Sequence, residues 1–187
     1  MLKIYLFENP EMVSEEMINR SMVLLPIERR KKANRYKHLI DKKMCVISYL
    51  LLLYGLKKNY GIIFPKISYE SNGKPYLTDY PDIFFNISHC RYACVCALSD
   101  RIVGIDIQDI RPFSWDIARR VCSKNELKML ENADDKSELF TKFWTIKESY
   151  LKMTGEGISK ISFVDTTTLD NHIDVWKSYR YIAAVSV

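Results

Sequence analysis

Phe143-Trp144-Thr145-Ile146-Lys147-Glu148-Ser149-Tyr150-Leu151-Lys152 sets two ammonium groups and a carboxylate into an otherwise apolar run. At helical spacing Trp144, Glu148 and Lys152 share one stripe, with Lys147 beside it and Ile146, Tyr150 and Leu151 on its flanks. Charges in an apolar helix are costly unless something binds them. A surface Glu–Lys pair four residues apart contributes only about 0.3 kcal/mol and would mean nothing more. Alone, the stretch favours that account, so the remaining chain must decide.

The chain has 187 residues, 48% hydrophobic and 27% charged, which is ordinary globular composition. Six Gly and six Pro are too few for a disordered or fibrous chain. No apolar run is long enough to span a bilayer, and the short run Met1–Phe7 meets Glu8 too soon for a signal peptide. A cytoplasmic protein with no membrane association is expected. Five cysteines do not complete a disulfide framework. Cys90, Cys94 and Cys96 lie close to His89, but Cys94 and Cys96 sit in a strand-like apolar run and paired C-x-x-C knuckles are missing, so zinc is not expected. The net charge of +5 is mild, yet Arg29, Arg30, Lys31, Lys32, Arg35, Lys37, Lys42 and Lys43 crowd one region. Such a run is either a solvated helix face or a seat for an anionic partner.

Hydrophobic period divides the chain into two series of the same order: strand, helices, then strands. The first has a strand at 3–7, a helix at 14–25, a second from Pro26 to about Tyr36, and a third from Asp41 as N-cap to Tyr60. Extended segments follow at 67–70 and 74–77 around the turn Ser71-Asn72-Gly73, then at 83–87 and 92–98. The second series has a strand at 102–107 and helices at 114–121, 123–132 and 137–154. The middle of these opens on a capping box, Ser123 with Glu126, and the last closes at Gly155 and Gly157. Strands are expected at 161–164, 173–177 and 181–187. An α+β fold of two lobes, residues 1–101 and 102–187, in one compact unit is predicted. No sequence repeat relates the halves.

Val103-Gly104-Ile105-Asp106-Ile107-Gln108 is the second informative stretch. Strand alternation sends Ile105 and Ile107 to one face and Asp106 and Gln108 to the other. A carboxylate there needs a partner. Two side-chain oxygens on one face, with Glu148 as a third, suit a hard cation such as Mg²⁺.

Four stretches now stand in order: Gly73-Lys74-Pro75, Phe85-Asn86-Ile87-Ser88-His89, the Asp106 strand, and Phe143-Trp144-x-x-Lys147-Glu148-Ser149-x-x-Lys152. Together they resemble the 4′-phosphopantetheinyl transferases of the surfactin-synthetase-activator (Sfp) type, from the basic segment to about Ile158. The resemblance implies two similar α+β halves, a pseudo-twofold fold with coenzyme A in the cleft between them. It implies transfer of phosphopantetheine to a serine of an apo acyl or peptidyl carrier protein, with adenosine 3′,5′-bisphosphate released and Mg²⁺, or Mn²⁺, required. Asp106 and Glu148, with Gln108, would hold the metal against the pyrophosphate. Glu148 would be general base and Lys152 would neutralise pyrophosphate charge. Ser88 and a protonated His89 would contact phosphates, Gly73, Lys74 and Pro75 would run along the adenine, and Arg29 and Lys32 would stand near the 3′-phosphate. Lys147-Glu148-Ser149 resembles the signature variant of the branch serving secondary metabolism.

Two departures matter. The family has Glu where this chain has Gln108, which weakens a metal site or leaves a water in that place. It also tends to an Arg in the third helix where this chain has Met44, with Lys43 or Lys42 as substitutes. A phosphate-transfer site needs bridging positive charge, a base and fixed cations rather than covalent chemistry, and these residues supply them. Two other readings remain: a coenzyme A-binding protein with a degenerate site, or an RNA- or acidic-protein-binding module built on Arg29–Lys43. The second lacks an aromatic stacking motif, so no nucleic-acid partner is expected. The carrier is expected to be an acidic helical domain, met by the segment Arg111–Lys124. A two-lobed chain builds its cleft internally, so a monomer is expected.

Overall fold

The computed structural model describes residues 1–170 and 172–187. Strand β1 (Lys3–Glu8) leads through a 3-10 turn (Pro10–Met12) to α1 (Glu15–Ser21), α2 (Ile27–Arg35) and α3 (Leu39–Tyr60). The hairpin β2 (Ile67–Tyr69) and β3 (Pro75–Leu77) precedes β4 (Phe84–His89) and β5 (Ala93–Ser99). The second series is β6 (Gly104–Asp109), α4 (Trp115–Val121), α5 (Lys124–Glu131), α6 (Lys136–Thr154), β7 (Ile173–Lys177) and β8 (Tyr181–Ser186). The mixture of helix and sheet agrees with the α+β class. Among the described residues no helix is long and apolar enough to cross a membrane.

Two three-stranded antiparallel sheets carry the architecture, in the orders β1-β5-β4 and β6-β8-β7. In each, the last strand of its series lies in the middle, between the first and the penultimate. Helix α3 covers the first sheet and α6 the second. Alternation explains the layers. Cys94, Cys96 and Leu98 of β5 face α3 and its Met44, Leu52 and Leu56. Ala93, Val95 and Ala97 turn the other way, onto Ile105 and Ile107 of β6 and Ala183 and Val185 of β8. The strand cysteines are therefore fully buried small apolar groups, with the thiol pKa of Cys94 pushed by burial to about 12.

The long helices begin and end where local chemistry dictates. Asp135 caps α6 by accepting the Glu138 N–H at 2.9 Å, and Gly155 closes it in the left-handed region at φ 79°. The Ser123–Glu126 capping box opens α5. Three expectations need correction. Helix α3 begins at Leu39 with His38 as its extended N-cap, so Asp41 lies inside the first turn, where it faces the positive helix end but caps nothing. The expected helix 14–25 ends at Ser21, whose hydroxyl bonds back to the Met17 carbonyl, and continues only as a 3-10 turn before Pro26. Residues 161–164 form no strand. Ile161 belongs to a 3-10 segment (Ile158–Phe163), and its carbonyl faces the Lys147 ammonium at 3.5 Å instead of a neighbouring strand.

Close approach fixes how each helix sits. A Cβ at Gly55 of α3 would lie 2.7 Å from side-chain atoms of Leu98 and Tyr5, which can yield more readily than backbone. A Cβ at Gly104 of β6 would overlap backbone atoms of Ser149 and Met153 in α6, which do not. Gly104→Ala should therefore cost roughly 3 kcal/mol or more, and Gly55→Ala about 1 kcal/mol, following overpacking costs. Thermal or urea unfolding checks this order; equal losses would contradict the backbone contact.

Candidate active site

Strand β4 presents Phe85 and Ile87 to α3 and turns Asn86 and Ser88 to the opposite face, toward β6. From β6 come Asp106 and Gln108, on the face away from Ile105 and Ile107 as alternation requires. From α6 come Glu148 and Lys152, one turn apart. The three elements meet at Asp106, whose side chain is 2% exposed. Its Oδ1 accepts the Ser88 hydroxyl at 2.7 Å and the Lys152 ammonium at 2.5 Å, and its Oδ2 accepts the Gln108 amide at 2.8 Å. Lys152 also donates to Ser88 Oγ at 3.0 Å and to the Ile105 carbonyl at 3.4 Å. The buried carboxylate thus has the partners its burial demands.

Glu148 accepts no hydrogen bond among the described residues. Burial, then the Asp106 charge beside it, raise its pKa above the ordinary 4.5, against the opposing pull of Lys152. Two carboxylates share one ammonium, so the site favours a further cation. Among the described residues no three His, Cys, Asp or Glu gather as a metal cluster. Asp106 and Glu148 offer carboxylate oxygens, and Gln108, whose N–H₂ here donates to Asp106, would add an amide oxygen only on turning over; hard donors of this kind would suit an ion of the Mg²⁺ kind that keeps several waters.

A cleft of about 280 Å³ opens at this point, lined by Gly73, Lys74, Pro75, Asn86, Glu148 and Lys152. The β2–β3 turn reaches it because Gly73 takes φ 85°, with Asn72 Oδ1 accepting the Lys74 N–H at 2.9 Å. Lys74 bonds the Met153 carbonyl at the end of α6, and burial lowers its pKa. A second depression of about 320 Å³ lies on the far side of Glu148, lined by Gln108, Pro112, Ile117, Phe140 and Trp144. Glu148 lines both.

His89 ends β4. It keeps an open face to solvent, yet desolvation by the walls around it and the positive charges of Arg29, Lys152 and Lys32 hold its pKa at about 4, against a small opposing pull from Asp106. These influences oppose protonation of His89, whereas a bound phosphate dianion would favour it. Arg29 is fixed on α3 by bonds to the Cys45 carbonyl at 3.0 Å and Ser48 Oγ at 3.1 Å, and Lys32 is exposed. These two lie within electrostatic reach of His89 as expected. Lys43 and Lys42 do not join them. Lys43 bonds the Glu11 carbonyl at 3.0 Å and lines a separate depression, and Lys42 bonds Asn19 at 2.9 Å. Met44 is buried in the core.

Lys147 is the residue sequence reasoning read least well. It is fully buried and pairs with fully buried Glu126 at 2.7 Å. Its ammonium also donates to the Val121 carbonyl at 2.5 Å, while Glu126 accepts the Ser123 N–H at 2.7 Å and the Thr166 N–H at 2.9 Å. This node ties α4, α5, α6 and the segment after α6 together, and does no chemistry. The capping box was its only signal: it fixes Glu126, whose capping oxygen Oε2 also meets the Lys147 ammonium while Oε1 accepts the Thr166 N–H.

A family model described as the 4′-phosphopantetheinyl transferase superfamily matches residues 102–182. A 4′-phosphopantetheinyl transferase of Bacillus subtilis is 35% identical over 164 residues, covering 84% of this chain and 72% of that protein. The 4′-phosphopantetheinyl transferase Sfp of Bacillus subtilis (strain 168) is 32% identical, with the same coverage. HetI of Nostoc sp., another protein of that name, is 38% identical over 108 residues, covering 54% of this chain and 46% of that protein. With this likeness spread over both series of elements, the chain belongs to the 4′-phosphopantetheinyl transferases, and is an enzyme of that class.

Lys147→Met should leave Glu126 buried without its partner and cost about 3–5 kcal/mol, whereas Lys147→Met with Glu126→Leu should recover much of that loss. Denaturant unfolding of the wild type, Lys147→Met, Glu126→Leu and the double variant decides; a double variant as unstable as the sum of both singles would refute the pairing.

Proposed function

We propose that the protein transfers the 4′-phosphopantetheine group of coenzyme A to a serine of an apo acyl or peptidyl carrier protein. The observation that carries this is that Lys152, bonded to Asp106 and Ser88, lines one cleft together with Glu148. The serine oxygen attacks the phosphorus bearing the pantetheine. The bond from that phosphorus to the bridging oxygen breaks, and adenosine 3′,5′-bisphosphate leaves with the electron pair. Glu148, with its raised pKa and no competing donor, takes the serine proton directly or through a water. Lys152 and Ser88 meet the diphosphate, and the fixed positive charge opposes the charge that builds on the leaving phosphate. Asp106, Glu148 and the Gln108 oxygen would hold Mg²⁺, or Mn²⁺ in its place, which would supply Lewis-acid polarisation of the phosphate oxygens.

Gly73, Lys74 and Pro75 run beside the adenine, and His89, Arg29 and Lys32 take the 3′-phosphate. The two sheets, alike in strand order, are read as two lobes, 1–101 and 102–187, related by a pseudo-twofold. The depression beyond Glu148 and the segment Arg111–Lys124 receive the carrier, whose acidic helices are steered by the net positive charge. The protein acts as a monomer in the cytoplasm, serves secondary metabolism, and uses neither nucleic acid nor membrane. A second reading is favoured by the Gln108 amide, which donates to Asp106 where the family has a third carboxylate: a coenzyme A-binding protein with a degenerate site.

Intact mass of an apo carrier after incubation with this protein, coenzyme A and Mg²⁺ separates the two. A gain of one phosphopantetheine, lost with Glu148→Gln and with EDTA, is expected. No gain across fatty-acid, polyketide and peptide carriers, with activity created by Gln108→Glu, would establish the degenerate site instead.

A further inference from the structure

The carboxamide of Asn86 has a use that the motif around it does not announce. Asn86 is 6% exposed and lies two residues before Ser88 on the same face of β4. Its Oδ1 accepts the Ile105 N–H at 3.2 Å. Only the oxygen of the carboxamide can accept that proton, so the orientation of the group is set by chemistry. Ile105 sits on β6, immediately before Asp106. Strand β6 is an edge of its own sheet, and β4 is an edge of the other. The main-chain groups of Ile105 would otherwise be left over at that edge. Asn86 takes the N–H, and Lys152 takes the carbonyl at 3.4 Å. The carboxamide therefore stands in for one rung of a ladder between two sheets that share none.

With Oδ1 fixed on Ile105, the planar group must present Nδ2 on its other side. Asn86 lines the cleft together with Lys152 and Glu148. Nδ2 has no protein partner among the described residues, and it is not among the sealed polar atoms that lack one; Arg180 Nε is the single such atom there. An uncommitted, oriented N–H₂ in a cleft that Lys152 also lines is suited to an oxyanion, because it donates and carries no lone pair to repel one.

We propose that Asn86 is a two-sided binding residue: Oδ1 holds the Asp106 strand against β4, and Nδ2 donates to the diphosphate of the bound coenzyme, at the phosphate that carries the pantetheine. The inference rests on the transferase reading for the identity of the ligand. The residue both sets the spacing of Asp106 from Ser88 and adds a neutral donor where Lys152 supplies charge. A carboxylate there would keep the first use and reverse the second. A hydroxyl on a shorter arm would lose the reach of the second without adding charge.

The test is calorimetric binding of coenzyme A to the wild-type protein, Asn86→Asp and Asn86→Ser, without carrier, beside adenosine 3′,5′-bisphosphate as a ligand lacking the second phosphate. Thermal unfolding of each variant is run in parallel. Both variants should bind coenzyme A ten- to a hundredfold more weakly, while the bisphosphate loses less than threefold. Asn86→Asp should still unfold cooperatively, because its oxygen still takes the Ile105 N–H, with a melting temperature lowered by its buried charge. Where transfer is followed, KM for coenzyme A should rise and KM for the carrier should not. Coenzyme A binding unchanged in a folded Asn86→Asp, or equal losses for both ligands, would overturn the proposal and leave Asn86 a strand fastener only. A wild-type protein that binds coenzyme A but transfers nothing would instead sink the transferase reading, with the Asn86 result still standing on the binding data.

Discussion

Helix α6 lies so close to strand β6 that the strand has no room for a side chain at Gly104. Everything chemical in the molecule depends on that distance. Asp106 is two residues further along the strand, and Lys152 and Glu148 lie on the turns of the helix that pass over it. A helix held farther off by one methyl group would lift the ammonium away from the carboxylate it serves. The shared core between the sheets, built on Ile105, Ile107, Val95 and Val185, supplies the rigid floor for this contact. Ser88 then comes to Asp106 from the other sheet, so the site exists only when both sheets are in place.

The same helix carries two ammonium groups with opposite fates. Lys147 is sealed with Glu126 at 0% exposure and satisfies two carbonyls besides. Lys152 keeps 30% of its side chain open and spreads its bonds over Asp106, Ser88 and a carbonyl. A sealed pair is a fastening, because nothing can enter to exchange with it. An open one is a binding group, because an arriving phosphate can compete for the ammonium. Five residues along one helix separate structure from chemistry. The difference comes from what packs over each: α4, α5 and the 3-10 segment over Lys147, and a cleft over Lys152.

Much of this was legible in the residues. Period and caps predicted the long helices, and strand alternation predicted that Asp106 and Gln108 share a face while Cys94 and Cys96 are buried. The order of four short motifs predicted which residues would meet. Other features had no local signal. The fate of Lys147 depends on a Glu twenty-one residues earlier in another helix. The lowered pKa of His89 comes first from desolvation and then from charges of α2 and α6, all of which only the fold brings near. Residues 161–164 looked like a strand because Ile161, Phe163 and Val164 are strand formers, yet a buried ammonium took a carbonyl that a strand would have needed. Lys43 was placed by analogy with a missing Arg, and the 3-10 turn after β1 claims it instead. In each case long-range burial or charge overrode a local preference.

The central claim is that Asp106 and Lys152 work as one unit across the helix–strand contact. The most direct measurement is a double-mutant cycle, Asp106→Asn and Lys152→Met, read as kcat/KM for carrier modification. If the pair acts as a unit, the double variant loses little more than the worse single one, since the second change removes a group already without its partner. Losses that simply multiply would show two independent residues, and the account of the site would be wrong.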